Sequence, residues 1–92
     1  MKVRFSPEAL DHIEGIRFFI ESRSAQAAEH IAQRIHLECD RLGEFPQIGH
    51  VGAVPGTHEW TVIGLPYIIV HEIDDKNDEL TVLGVFHGAQ KR

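Results

Sequence analysis

Apolar residues in the first half of the chain recur at the spacing of an α-helix. Over about residues 7–22, the repeat includes Leu10 and Ile13, and a wider apolar stripe continues to the end of the segment. Ser6 can serve as the N-cap, and Pro7 suits the first helical position because its fixed φ is already helical. The pattern therefore predicts a helix over residues 7–22.

A second helix is predicted directly after the first one. Ser24 is its N-cap candidate, and Gly43 is placed just past its last residue, where glycine is the usual end signal. Its apolar stripe comprises Ala28, Ile31, Ile35, Cys39 and Leu42. Since only two or three residues separate the two helices, they should form an antiparallel hairpin.

The remaining apolar segments alternate with turn residues, as strands do. The predicted strands are residues 2–5, 57–63, 67–74 and 79–87, with turns at 64–66 and 75–78. Short turns between neighbouring strands predict an antiparallel meander. Residues 47–56 carry no charge and contain three glycines, which predicts a long connection from the helices to this meander.

The central strand is apolar on both faces for part of its length. Ile68, Ile69 and Val70 are consecutive, so one face can meet the helix hairpin while the other also needs cover. A partner protein could supply part of that cover. The predicted fold class is α+β: an N-terminal strand, an antiparallel helix hairpin, and a three-strand antiparallel meander packed on the helices.

Length and composition indicate one cytoplasmic globular domain, residues 1–92. The chain is 42% hydrophobic and 25% charged, which is ordinary for a globule. Ser6 and Pro7 interrupt the N-terminal segment before any apolar run, unlike a secretory signal. No stretch approaches the roughly 18 apolar residues of a membrane span. The single Cys39 excludes an internal disulfide and suits a reducing compartment.

The distribution of charge is more informative than the net charge of −5. Most Lys and Arg residues lie at the two ends of the chain or on the two helices, and between Arg41 and Lys91 the only cation is Lys76. Nucleic-acid binding depends on clustered cations that displace counterions from phosphate. The second half of the sequence therefore argues against direct binding of nucleic acid.

Five local motifs, in register along the whole chain, resemble those of the RelE/ParE family of toxins. They are FSPEA at 5–9, FPQIG at 45–49, GTHEW at 56–60, PYIIVHEI at 66–73 and VFHGAQKR at 85–92. The resemblance implies the RelE/ParE fold and the toxin component of a type II toxin–antitoxin module. It also implies a cognate antitoxin as the partner.

The sequence departs from the family pattern at two positions. His58 stands where the family usually has Arg, and His71 stands where it often has Tyr. A neutral imidazole is a poor substitute for a guanidinium, which is always charged and offers five donors. In the ribonuclease branch, mRNA cleavage is credited to Lys and Arg on the sheet. The ParE branch lacks that basic set and poisons DNA gyrase, and this chain resembles the ParE branch more closely.

Four residues are candidates for acid–base chemistry, should the chain cut RNA. RNA cleavage needs one group to accept the 2′-OH proton and another to donate to the leaving oxygen. Histidines on sequential strands, with Glu59 or Glu72, could form such a pair, while a cation must stabilise the phosphate charge. The candidates are His58, His71, His87 and Arg92. The alternative interpretation makes the strand histidines structural, and the scarcity of cations favours it.

No metal site or cofactor is predicted. The seven histidines contain no His-Glu-x-x-His pair, and Cys39 has no second cysteine beside it. Cys39 lies on the apolar stripe of the second helix, as a buried structural thiol would. Trp60 and Tyr67 could stack a base but are expected to pack beneath the helices.

Three functions remain open at this point. The first is a toxin that poisons a protein such as DNA gyrase and is held inactive by its antitoxin. The second is a ribosome-dependent endoribonuclease of the same fold. The third is a toxin-fold protein whose activity has decayed. The presence of His58 where the family usually has Arg is compatible with this third function. The cation-poor strands favour the first and third functions over the second.

Overall fold

The computed structural model describes residues 1–88 and shows a helix hairpin packed on one face of a five-stranded sheet. The sheet order is β1-β5-β4-β3-β2; β1 pairs with β5 in parallel, and the other pairs are antiparallel. The elements are β1 (Lys2–Phe5), α1 (Pro7–Glu21), α2 (Ala25–Glu44), a 3₁₀ turn (Pro46–Ile48), β2 (His50–Val51), β3 (His58–Thr61), β4 (Tyr67–Asp74) and β5 (Glu79–His87). The predicted α+β fold, with its hairpin and meander, is confirmed.

Both helices begin at the predicted caps. The Ser6 hydroxyl accepts the backbone N–H of Ala9, and the Ser24 hydroxyl accepts that of Ala27, each at 3.1 Å. Each bond satisfies one of the N–H groups that a helix start leaves without a partner. Within residues 1–88, neither helix is apolar enough over a sufficient length to cross a membrane.

The prediction that α2 ends before Gly43 is wrong. The helix continues to Glu44, and Gly43 is a buried residue of its last turn. A Cβ atom at this position would lie 2.6 Å from Cγ2 of Val3 and 3.0 Å from the carbonyl oxygen of Met1. The glycine is therefore needed for the close approach of α2 to β1, not for a left-handed helix end.

The register of β4 decides which of its apolar residues form the core. Ile69 is fully buried on the face that meets the helices, whereas Ile68 and Val70 are half-buried on the opposite face. Across β5, Val70 pairs with Gly84 and the next pair skips one residue, so Leu83 forms a bulge. Because of this extra residue, the apolar side chains of β5 point to the core both before and after the bulge.

The connection at residues 47–56 is more ordered than predicted. It contains the 3₁₀ turn and β2, which pairs with β3 along two residues. Strand β3 is shorter than the predicted 57–63, although Val62 just beyond it is fully buried. Residues after β2 fold over the outer face of the sheet, so the chain itself supplies part of the cover that its central strands require.

Side chains from the start of α1 cover the edge of β5 where β1 has ended. The Ser6 hydroxyl donates to the carbonyl of Leu83 at 3.0 Å, and the backbone N–H of Val85 donates to Nδ1 of His12 at 3.1 Å. The ring of His12 also contacts that of Phe86, with the centroids 4.8 Å apart. These contacts occupy backbone N–H and C=O groups at the edge of β5 that could otherwise pair with another strand.

Candidate functional site

The two histidines that depart from the family pattern are neighbours in the sheet. His58 of β3 pairs directly with His71 of β4, and their rings lie 5.9 Å apart, nearly parallel at 27°. Both point to the helix side, because they alternate with outward-facing Glu59 and Glu72. His71 is 0% exposed. His71 is therefore part of the interior, and half-buried His58 lies beside it on the same face of the sheet.

Burial strongly constrains the protonation of this pair. Burial is the main cause that lowers the pKa of His71; its hydrogen bond to the carbonyl of Ile69 opposes this, while His58 and His50 add to the lowering. Nε2 of His71 and Nδ1 of His58 are buried and have no hydrogen-bond partner among the described residues. A proton added to His71 would therefore place a charge in the core.

The stability of the protein is expected to fall as the pH is lowered through about 6.5, the ordinary pKa of histidine. Because the pKa of His71 is lower in the folded state, the unfolded chain takes up the proton first and is favoured in acid. The measurement is urea unfolding at several pH values between about 7.5 and 5.

The matched variant for this experiment is His71→Phe, which keeps a ring of similar size and cannot titrate. Its free energy of unfolding should depend less steeply on pH than that of the unmodified protein, whereas the remaining histidines are common to both. Equal slopes for the two proteins would contradict the assignment to His71.

The structure places the described candidates for acid–base chemistry at two separate points of the sheet. His87 pairs with Tyr67 at the far end of β4, its ring at right angles to the tyrosine and 5.8 Å away. Tyr67 lies four positions before His71 on β4, which is about 13 Å at ~3.3 Å per residue. Arg92 lies outside the described residues. Glu59 and Glu72 alternate with His58 and His71 along the two strands and therefore lie on the opposite face of the sheet.

Other candidate side chains have structural roles. Tyr67 is buried, and half-buried Trp60 donates from Nε1 to the carboxylate of Glu38 on α2 at 3.3 Å, so both aromatics pack beneath the helices as expected. Burial raises the pKa of the Cys39 thiol to about 12, with Asp40 and Glu38 adding to the effect, so it is not a nucleophile near neutral pH. Among residues 1–88, no three potential ligands are placed to hold a metal ion.

An apolar groove of about 440 Å³ lies on the outer face of the sheet, and we call it the outer groove. Val70 and Leu83 line it from β4 and β5, Phe86 lies on one side, and Ala53 and Val54 of the β2–β3 loop lie on the other. Thr57 and Glu59 complete it. Sequence reasoning did not identify this site, although the two-sided apolar character of residues 68–70 indicated an apolar outer face.

The Glu59 carboxylate, which was a candidate base in the sequence, helps to shape the outer groove. It is 7% exposed and accepts the backbone N–H of Ala53 at 3.2 Å, which ties the β2–β3 loop to β3. Within that loop, the N–H and hydroxyl of Thr57 both donate to the carbonyl of Val54, at 3.1 and 2.6 Å. Gly56 adopts φ +84°, a left-handed conformation that glycine tolerates.

The outer face carries two cations that the predicted meander did not include. Strand β1 aligns Lys2 with Glu79 and Arg4 with Thr81, so both cations lie at the β1 edge of the sheet. The guanidinium of Arg4 binds the carboxylate of Glu79 at 3.0 Å. Since Glu79 is at the start of β5 and Phe86 near its end, this ion pair draws Arg4 away from the outer groove.

The sheet and the helix hairpin together form the fold of the RelE and ParE toxins. The model of the family described as "ParE toxin of type II toxin-antitoxin system, parDE" matches residues 3–92. The chain belongs to this family and is thus a toxin of a type II toxin–antitoxin system.

Relatives with known sequences or structures agree with this family. The Sinorhizobium fredii protein Y4kP, described as a candidate toxin, is 32% identical over 90 residues, which cover 98% of this chain and 91% of that protein. The chromosomal ParDE system of P. aeruginosa matches with TM-score 0.75 at 17% identity, covering 95% of each chain. The E. coli RelBE complex matches with TM-score 0.63 at 15% identity, covering 98% of each chain.

Proposed function

We propose that this toxin acts by poisoning a protein target, DNA gyrase, and that a cognate antitoxin neutralises it in the cytoplasm. The observation that supports a protein target is the outer groove, whose described lining is mainly apolar and includes no cation. Such a surface favours an apolar protein segment over a polyanion.

The proposed antitoxin covers apolar side chains that the fold leaves in solvent. On the helix hairpin, Phe18 is 80% exposed, and Leu10, Phe19 and Leu37 are also exposed. Single exposed apolar residues are common, but several on one layer of a small protein are typical of a protein interface. The ParDE and RelBE assemblies are toxin–antitoxin systems by their names, which supports a partner of the same kind here.

The endoribonuclease alternative requires an acid, a base and a cation on the outer face. His58 and His71 lie on the inner face, and the guanidinium of Arg4 is bound to Glu79. Among the described residues, no cation is therefore placed near either histidine to stabilise the negative charge that develops on phosphate during RNA cleavage. The chain is therefore proposed to act without cutting mRNA.

Induced expression should stop growth, lower the supercoiling of plasmid DNA and leave transcripts intact. The reason is that poisoning gyrase blocks replication, whereas the described lining of the outer groove offers no cation to hold mRNA. Growth should return when the product of the neighbouring reading frame, the expected antitoxin, is co-expressed. The measurements are plasmid topology, supercoiling by purified gyrase with added toxin, and primer extension on transcripts.

Two outcomes would support the alternatives instead. Codon-specific cleavage that is lost in His71→Ala or His87→Ala would identify a ribonuclease. An absence of both growth inhibition and cleavage would indicate decayed activity, and His58→Arg would then be the first substitution to test for its recovery.

A further inference from the structure

The side of α1 that faces away from the sheet is acidic in its first half and aromatic in its second. Glu8 and Asp11 precede Gly15 by seven and four residues. Phe18 and Phe19 follow it by three and four residues. Residues at these spacings lie on one face of a helix. Phe18 is 80% exposed and Phe19 is 59% exposed, so the aromatic half of this face is in solvent.

A cation lies at the aromatic end of the same helix. The guanidinium of exposed Arg23 stacks over the ring of Phe19, 4.6 Å from its centroid. At the other end, the carboxylates of Glu8 and Asp11 are exposed. None of these three charges forms an ion pair with a described residue. The two ends of α1 therefore carry opposite charges that remain available to a partner.

Gly15, between the two halves, has no role within a single copy of the chain. Glycine in a helix interior costs about 1 kcal/mol relative to alanine. A Cβ atom on Gly15 would meet no described atom within 4 Å, and the residue does not adopt a positive φ. Neither close packing nor backbone conformation therefore requires this glycine. The close approach of a second helix at this point would require it.

An open groove of about 610 Å³ lies beside this face, between α1 and the end of β5. Asp11, Gly15 and Phe19 line it from the helix, and Phe86 and His87 line it from β5. An apolar side chain of another molecule that lies near Gly15 would also reach this groove. The apolar contact would then extend beyond the helix itself.

A second copy of α1 complements this face. When two such helices pack antiparallel about Gly15, the position seven residues before the glycine in one copy lies opposite the position seven residues after it in the other. Both positions are about 10 Å from the crossing point, at ~1.5 Å per residue. Glu8 of one copy thus lies beside Ser22 and Arg23 of the other, and the contact occurs twice. A parallel arrangement would instead place Glu8 against Glu8.

We propose that α1 is the contact surface for a second copy of this chain in the free toxin, with the two helices antiparallel and crossing at Gly15. Phe18 and Phe19 of each copy cover the acidic half of the other helix, and Arg23 of each copy pairs with Glu8 of the other. The antitoxin proposed above covers the same phenylalanines, so it replaces the second copy in the inhibited complex. This inference goes beyond the proposed target and does not depend on it.

The size of the contact predicts a weak pair. Helix α1 has 15 residues and is about 22 Å long, so it and the adjacent groove bury less than the ~800 Å² per partner of a standard stable interface. We expect a dissociation constant on the order of 10–100 µM at low salt. The affinity should fall at high salt, because the two ion pairs are exposed.

Sedimentation velocity of the full-length chain, purified without antitoxin, is the direct test. The mass should rise from that of one chain toward that of two as the concentration passes through the expected dissociation constant. Phe18→Ser and Gly15→Gln should each weaken the pair by about tenfold or more, because one removes apolar contact and the other places a side chain at the crossing point. The matched control is Val51→Ser, at a valine on β2 that is 78% exposed, which should leave the affinity unchanged.

A charge exchange tests the antiparallel arrangement itself. Glu8→Arg alone and Arg23→Glu alone each bring like charges together twice, so each should weaken the pair by about tenfold at low salt. The double variant restores opposite charges and should return the affinity to within about threefold of the unmodified chain. Circular dichroism should be the same for all variants, because every substituted residue is exposed.

Several results would overturn the proposal. One is a chain that stays monomeric at about 300 µM and low salt, well above the expected dissociation constant. Another is a pair that survives Phe18→Ser, or one that Val51→Ser breaks, which would place the contact at the edge strand β2. A double variant as weak as either single variant would also contradict the arrangement. None of these measurements involves gyrase, so their failure is distinct from a failure of the proposed function.

Discussion

Replacing Ile69 by alanine should lower the free energy of unfolding by about 2–5 kcal/mol, the usual cost of truncating a fully buried isoleucine. Ile69 is 0% exposed and lies among core residues of both helices and the sheet. Its removal leaves a cavity that the surrounding side chains cannot fill completely. For a domain of ordinary stability, about 5–15 kcal/mol, this is a large share of the total.

The matched control is the preceding residue, Ile68, which has the same side chain on the outer face. Because Ile68 is only half-buried, its replacement by alanine should cost about 1 kcal/mol. Chemical denaturation of the two variants gives both values. A larger loss for Ile68→Ala than for Ile69→Ala would mean that the register of β4 is wrong by one residue.

Two helical glycines should respond in opposite directions to the same substitution. Gly43→Ala is expected to destabilise the protein by about 1–3 kcal/mol, because its methyl group would overlap with Val3 and contact the Met1 carbonyl. Gly15→Ala should stabilise it by about 0.5–1 kcal/mol, since a Cβ there meets nothing within 4 Å and alanine is the better helix former.

Thermal and chemical unfolding of the two variants would check the opposite signs. If both substitutions stabilised the protein, α2 would not pack on β1 as closely as the structure shows. If Gly15→Ala destabilised the protein, the glycine would have a contact that the isolated chain does not contain.

Features that depend on residues close in sequence were predictable. Ser6 and Ser24 cap their helices as expected, because a cap bonds to an amide three residues away. The turn at residues 75–78 and the two long strands beside it were also predicted, since chain neighbours joined by a short turn form a hairpin. Motifs spread over the whole chain identified the family, and the family model agrees.

Features that depend on distant residues were not predictable from the pattern. The three consecutive apolar residues of β4 fit either face, and only their register with β3 and β5 selects Ile69 for the core. Gly43 resembles a helix end in sequence, but its role depends on Val3, which lies forty residues away. Likewise, the pairing of His58 with His71 joins two departures from the family pattern that are thirteen residues apart.

The candidate site shows the same division between local and distant effects. The sequence by itself determined the α+β architecture, the family and the scarcity of cations in the second half, because composition, caps and periodicity are local properties. The tertiary structure decided that β1 brings Lys2 and Arg4 beside β5, that Glu59 holds a loop, and that Phe86 borders a groove. These positions depend on parallel pairing and on a bulge, which arise from the packing of the whole chain.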